Sequence, residues 1–212
     1  MSVSIPVIDI SGLFSADVKE RQMVAQQMKQ ACEDKGFFYI SNHGIATELQ
    51  QAVFKQSKQF FDLPMNEKEK VHKKNSIANR GYEPLKNQTL EVGTPADLKE
   101  GFYSGREYAL ESKEVLAQRF NHGPNQWPTQ FPEFESTMQH YQAELEVLAK
   151  YLMRGLALSL SLSENYFDDF CQDSLVTLRL LHYPPQPANP EPNEKGCGAH
   201  TDFGALTLLL QD

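Results

Sequence analysis

The sequence predicts an α+β fold, on two observations. Apolar residues recur at helical spacing through much of the first 160 positions, and runs of strand type take over from about position 175. Val3 to Ile10 is short and β-branched, with turn residues Asp9, Ser11 and Gly12 at its end, and reads as a strand. Asp17 with Glu20 three positions on has the form of a capping box and opens a helix running to about Lys35, where Gly36 stops it. Phe37-Phe38-Tyr39-Ile40 is a compact strand-type run closed by Asn42-His43-Gly44.

A second helix is expected over Thr47 to Phe61, ended by Leu63-Pro64. A third covers Asn66 to Lys74, where lysines alternating with Glu67 and Glu69 predict a solvated face. Ser76 to Gln130 is irregular, with short extended pieces, and Lys99, Glu100 and Arg106 within it are expected to pair at the surface rather than reach a ligand. The longest helix follows. Phe134, Met138, Tyr141, Leu145, Leu148, Leu152 and Leu156 form one apolar stripe for the core, with Pro132 suited to its first turn. Leu175 to Tyr183 reads as a strand, and a loop with five prolines between 184 and 192 comes next. Ala199 to Gln211 is expected to be a strand, a turn at Asp202–Gly204 and a second strand. Along the sequence the division is a helical N-terminal region, 1–120, and a region of long helix plus strands, 121–212.

The bulk numbers narrow the function. At 212 residues, 40% hydrophobic and 23% charged, the chain has enough apolar material for a buried core. A net charge of −8 excludes an electrostatic grip on nucleic acid or an anionic membrane. Cys32, Cys171 and Cys197 are odd in number and widely spaced, which points to reduced thiols in a cytoplasmic protein. The first ten residues lack a signal-peptide pattern, and no apolar run has the length of a membrane span.

Chemistry concentrates in Cys197-Gly-Ala-His200-Thr-Asp202-Phe-Gly204. On a strand, residues two apart project to one face with Cα atoms roughly 6.5 Å apart. His200 and Asp202 then offer an imidazole nitrogen and a carboxylate oxygen to one ion, two-thirds of the 2-His-1-carboxylate triad that suits Fe(II). A His-x-Asp alone is a weak signal, because a satisfied surface pair has the same spacing. Cys197 and His200 also form a C-x-x-H pair, but structural zinc needs four ligands and no second pair lies nearby.

The wider context is specific. Gly198-Ala-His-Thr-Asp-Phe-Gly-Ala-Leu-Thr-Leu-Leu-Leu-Gln-Asp212 resembles the metal-binding segment of the isopenicillin N synthase-like family of 2-oxoglutarate- and Fe(II)-dependent oxygenases. Six earlier stretches resemble that family in the same order. They are Ile5-Pro-Val-Ile-Asp-Ile10, Gly36-Phe-Phe-Tyr-Ile-Ser-Asn-His-Gly-Ile45, Phe60-Phe-Asp-Leu-Pro64, Arg80-Gly-Tyr82, Asp97-Leu-Lys-Glu-Gly-Phe102 and Leu178-Arg-Leu-Leu-His-Tyr-Pro-Pro185.

The resemblance implies a helical region followed by a double-stranded β-helix (a jelly roll), with His200 and Asp202 as iron ligands and Tyr183 as a hydroxyl donor to the 2-oxoglutarate carboxylate. It implies the use of Fe(II), 2-oxoglutarate and O2 to oxidise a small organic metabolite by hydroxylation, desaturation or ring closure, releasing succinate and CO2. Strand parity puts Arg179 on the face of Tyr183, as a partner for an anionic substrate or co-substrate group or as half of a structural salt bridge. Phe203 is taken with Arg179 as a substrate contact, while His43 and His182 are not expected to be ligands. Leu181 replaces an asparagine found in some plant members, so any polar contact made there is lost.

The family pattern continues with a distal histidine and an Arg-x-Ser pair, yet no histidine follows His200 and the last arginine is Arg179. A jelly roll of eight strands needs roughly 80 residues; Leu175 to Asp212 supplies 38. The expectation is an incomplete jelly roll, inactive alone, either a fragment of a longer oxygenase or a natural non-catalytic binding or regulatory derivative. Termination within the apolar run Leu206 to Gln211 favours the fragment.

Overall fold

The computed structural model describes residues 4–202 and 204–212. In chain order its elements are β1 (Val7–Asp9), α1 (Val18–Asp34), β2 (Tyr39–Ser41), α2 (Thr47–Phe61), α3 (Met65–Lys68), β3 (Gly81–Glu83), β4 (Glu100–Gly105), α4 (Lys113–Leu116), α5 (Pro132–Ser159), α6 (Asp168–Gln172) and β5 (Thr177–His182). The fold is α+β, with helices dominating the N-terminal part and an open antiparallel sheet that resembles an unfinished double-stranded β-helix. Two compact units interleave along the chain. One takes the segment up to Thr47 with Ala143–Ser174 and Leu206–Gln211; the other takes Glu48–Gln142, Leu175–Ala205 and Asp212.

In the first unit β1 and β2 pair in parallel, Ile8 opposite Ile40. Asp17 caps α1, its carboxylate accepting from the Lys19 N–H at 2.9 Å, and Gly36 at φ 74° takes the left-handed turn that ends it. The Asn42-His43-Gly44 turn is built from within. Asn42 donates to Asp9 at 2.8 Å and His43 Nδ1 accepts from the Ile45 N–H at 3.1 Å. Gly155 is buried where an added Cβ would meet the Met28 sulfur at 2.9 Å, so α1 and α5 approach through a position that tolerates no side chain.

In the second unit β3, β4 and β5 form an antiparallel sheet in that order. One face carries Tyr82, Phe102 and Leu180 into an aromatic core with Phe60, Trp127 and Phe134. Phe60 lies 4.9 Å from Phe102 and 5.2 Å from Phe134 between ring centroids. Each such side chain contributes about 1.5–3 kcal/mol by burial. The other face carries Glu83, Tyr103 and Arg179, with Tyr103 directly opposite Arg179.

Three expectations are corrected. The helix over Asn66 to Lys74 is one α-turn followed by two 3-10 turns, and its lysines are not all solvated: Lys68 is buried on Glu100. The stretch from Ser76 to Gln130 contains β3 and β4, with Lys99 and Glu100 buried rather than at the surface. Ala199 to Gln211 forms no strand among its described residues, although the bend at Gly204, φ 81°, falls where the turn is expected. A strand is a property of a ladder, and no described segment pairs with this one.

A candidate metal centre on the segment after β5

His200 and Asp202 converge without a strand to align them. His200 Nε2 lies 3.4 Å from Asp202 Oδ1, and both side chains are exposed. Two donors about 2.1 Å from one ion at right angles lie about 3 Å apart, so the pair needs only a small adjustment to share a metal. The other ring nitrogen, Nδ1, donates to the Gly198 carbonyl at 2.9 Å. That bond takes a proton on Nδ1 and leaves Nε2, the nitrogen facing Asp202, as the one a metal would use, as in metal sites whose histidines are oriented by a backbone carbonyl. Cys197 Sγ is 3.8 Å from the same Nδ1 and shares no ion with it. Among the described residues no group of three or more His, Cys, Asp and Glu side chains is arranged to hold a metal together.

The segment bearing this pair is fastened to the loop before β4. Leu98 N–H donates to the Lys195 carbonyl at 2.8 Å, Gly198 N–H to Asp97 Oδ1 at 3.0 Å, and Ala199 N–H to Glu91 Oε2 at 3.0 Å. Burial alone would raise the Asp97 carboxyl, but bonds from Lys99 and the Gly198 N–H outweigh it and hold Asp97 below its ordinary value. Tyr183 follows β5 directly and is 46% exposed. Burial first, and then the neighbouring Cys197 thiol, keep its hydroxyl above the ordinary value and therefore protonated, able to donate.

Comparison with known proteins establishes the family. Residues 5–130 match the profile described as the non-haem dioxygenase in morphine synthesis N-terminal region. The chain belongs to that dioxygenase family. Among curated relatives, the 2-oxoglutarate-Fe(II) type oxidoreductase hxnY of Emericella nidulans is 44% identical over 98% of this chain and 60% of its own length. The 2-oxoglutarate-dependent dioxygenase citB of Monascus ruber is 38% identical over 100% of this chain and 66% of its own. A full-length Neurospora crassa protein solved with alpha-KG and thymine is 30% identical, with a TM-score of 0.68, over 85% of this chain and 55% of the other. The chain thus spans about 60% of the length of the curated relatives it matches first. Relatives of this kind are 2-oxoglutarate/Fe(II) oxygenases of the isopenicillin N synthase-like type.

Arg179 is engaged at the edge of its guanidinium and on one face. Nη2 donates to Gln88 Oε1 at 2.8 Å and reaches Glu83 Oε2 at 3.3 Å, while the plane lies over the Tyr103 ring at 4.8 Å. Nε is buried and has no hydrogen-bond partner among the described residues. Lys73 binds the other Glu83 oxygen at 2.8 Å, so two cations share one carboxylate. Burial would raise Glu83; Lys73, Tyr103 and Arg179 together hold it low. His182 turns to the core face instead, 2.8 Å from Glu100 and stacked on Phe61. Phe203 lies outside the described residues.

Sequence reasoning missed Glu83, Gln88, Glu91 and Asp97. The signal that was present is the alternation of Asp97, Lys99, Gly101 and Tyr103 against Leu98, Glu100 and Phe102, a period of two obscured by charges on both faces. Among the described residues no helix is long and apolar enough to cross a membrane.

Proposed function

We propose that this chain carries the iron- and co-substrate-binding part of an oxygenase that uses 2-oxoglutarate and O2 to oxidise a small organic metabolite, releasing succinate and CO2. The observation that carries the proposal is the approach of His200 Nε2 to Asp202 Oδ1 with Nδ1 bound to a backbone carbonyl. The donor set fits Fe(II): one neutral imidazole, one carboxylate and open positions for small ligands. Bound Fe(II) supplies the oxidising chemistry, by hydroxylation, desaturation or ring closure.

The chain's own residues orient the reactants. His200 and Asp202 fix the ion on the segment after β5. Tyr183, whose hydroxyl is held above its ordinary value and so stays protonated, donates to a carboxylate of 2-oxoglutarate. Arg179, one of two cations that share the single Glu83 carboxylate, receives an anionic or carbonyl group of the substrate. Phe203 is assigned to the substrate wall on its position beside Asp202 alone. Two sequence-level readings accompany these: a helical region 1–120 followed by an oxygenase region 121–212, and a cytoplasmic protein, supported by three unpaired cysteines. The net charge of −8 supports a small-molecule partner rather than nucleic acid.

The test is decarboxylation of 2-oxoglutarate by the chain extended to the length of its relatives, measured as succinate formed with Fe(II) and O2. Turnover is expected, and expected to vanish in His200→Ala and Asp202→Ala. Tyr183→Phe should raise KM for 2-oxoglutarate about tenfold or more, with a smaller effect on kcat, since one bond to a charged group is lost. The 212-residue chain, offering two of three ligands, is expected to turn over nothing. An extended chain that binds Fe(II) through His200 yet forms no succinate would favour a non-catalytic binding derivative.

A further inference from the structure

Asp97 and Lys99 form an ion pair that is almost wholly buried, with side chains 2% and 3% exposed and Lys99 Nζ 2.6 Å from Asp97 Oδ2. Burying two charges is costly, and apolar residues of similar volume are often at least as stabilising. What the pair does besides stabilise is therefore informative. Asp97 Oδ1 accepts from the Gly198 N–H at 3.0 Å, and Lys99 Nζ lies 3.4 Å from Cys197 Sγ. Gly198 is bonded on both sides: its N–H goes to Asp97 and its carbonyl takes His200 Nδ1 at 2.9 Å. It also has no room for a side chain, since a Cβ would lie 2.7 Å from Glu91 Cβ and 2.8 Å from Glu91 N. Three residues thus form a series of hydrogen bonds, from the Asp97 carboxylate through Gly198 to the His200 imidazole.

We propose that Asp97 is a positioning residue for the candidate metal centre, acting through Gly198 to set the orientation and tautomer of His200, while Lys99 holds the Asp97 carboxylate in place. The part concerning metal rests on the reading of His200 as an iron ligand. The clasp itself does not. The loss of Asp97 leaves the Gly198 N–H without its acceptor and loosens the peptide before Gly198, so that the Gly198 carbonyl keeps the Ala199 N–H bond to Glu91 as its tether and holds the imidazole less firmly. Because the link is a hydrogen bond to a carbonyl-type oxygen, charge is dispensable provided both charges leave together. Combining Asp97→Asn with Lys99→Met retains an Oδ1 acceptor for the Gly198 N–H and buries no lone ion.

The experiment uses the 212-residue chain and two readouts: amide hydrogen exchange at Gly198 relative to the amides of β4, and Mn(II)-induced broadening of the His200 imidazole resonances. In Asp97→Ala, Gly198 exchange should accelerate about tenfold or more while β4 is unchanged, the loss of one bond to a charged acceptor. The Mn(II) concentration needed to broaden His200 should rise by a similar factor. The double variant Asp97→Asn with Lys99→Met should behave like the wild type in both. Unchanged Gly198 exchange in folded Asp97→Ala would overturn the clasp. If Asp97→Ala unfolds, with β4 exchanging as well, the double variant decides: loss of Gly198 protection in that folded protein would overturn the proposal. Mn(II) that leaves wild-type His200 unbroadened would refute the metal-positioning role and the ligand reading beneath it, while Gly198 exchange still reports on the clasp alone.

Discussion

Lys68 and Lys70 stand two residues apart with the same charge, and the fold treats them oppositely. Lys68 is buried, its ammonium 2.8 Å from Glu100 and 3.1 Å from the Phe61 carbonyl; Lys70 lies at the surface on Glu67. Lys68→Met removes one partner of a buried pair and leaves Glu100 with only Tyr82 and His182, so it should cost about 3–5 kcal/mol in urea melts. Lys70→Met should stay within about 0.5 kcal/mol. Equal costs for the two would show that burial does not distinguish them. The sequence makes these lysines look alike because the group that separates them, Glu100, lies 32 residues away. Local charge alternation reports what a face looks like, and a distant carboxylate decides which lysine turns inward. The meeting of His200 and Asp202 was legible for the opposite reason: two side chains two residues apart carry their proximity within a single tripeptide.

At the level of elements, β5 and the long helix α5 were legible, because each is a periodic apolar run. β3 and β4 were not, since Glu83 and Glu100 interrupt the pattern with charges that the fold neutralises with Lys73 and Lys68 from the turns before β3. Gly81 in β3 has φ 106°, and a Cβ there would run into the Val71 carbonyl, so Gly81→Ala should destabilise the second unit by about 1–3 kcal/mol, read as a lowered urea midpoint. The carboxylates of this sheet also predict a pH dependence. Asp97, Glu83 and Glu100 are all held below ordinary values of 3.8, 4.5 and 4.5. For each the unfolded chain binds the proton more readily, so the stability they contribute is complete above those ordinary values and is lost as pH falls through the lowered ones. Urea midpoints should therefore be level above the ordinary value of 4.5 and fall as pH drops below it, and Glu83→Gln should flatten the fall. A midpoint unaffected by pH in that window would contradict the assigned ion pairs.

At the level of the whole molecule, the α+β architecture follows from the sequence, whereas the strands expected after Ala199 do not form among the described residues. Pairing depends on a neighbour, and residue pattern alone does not supply one. What survives the absence of a strand is the meeting of His200 and Asp202, held by Gly198, Asp97 and Glu91 rather than by a ladder. Whether these two side chains are the iron ligands is tested most directly by anaerobic calorimetric titration of the 212-residue chain with Fe(II), beside His200→Ala and Asp202→Ala. Two ligands on one segment should give weak binding that disappears in both variants. A tight, stoichiometric site that persists in His200→Ala would show that the iron is held elsewhere.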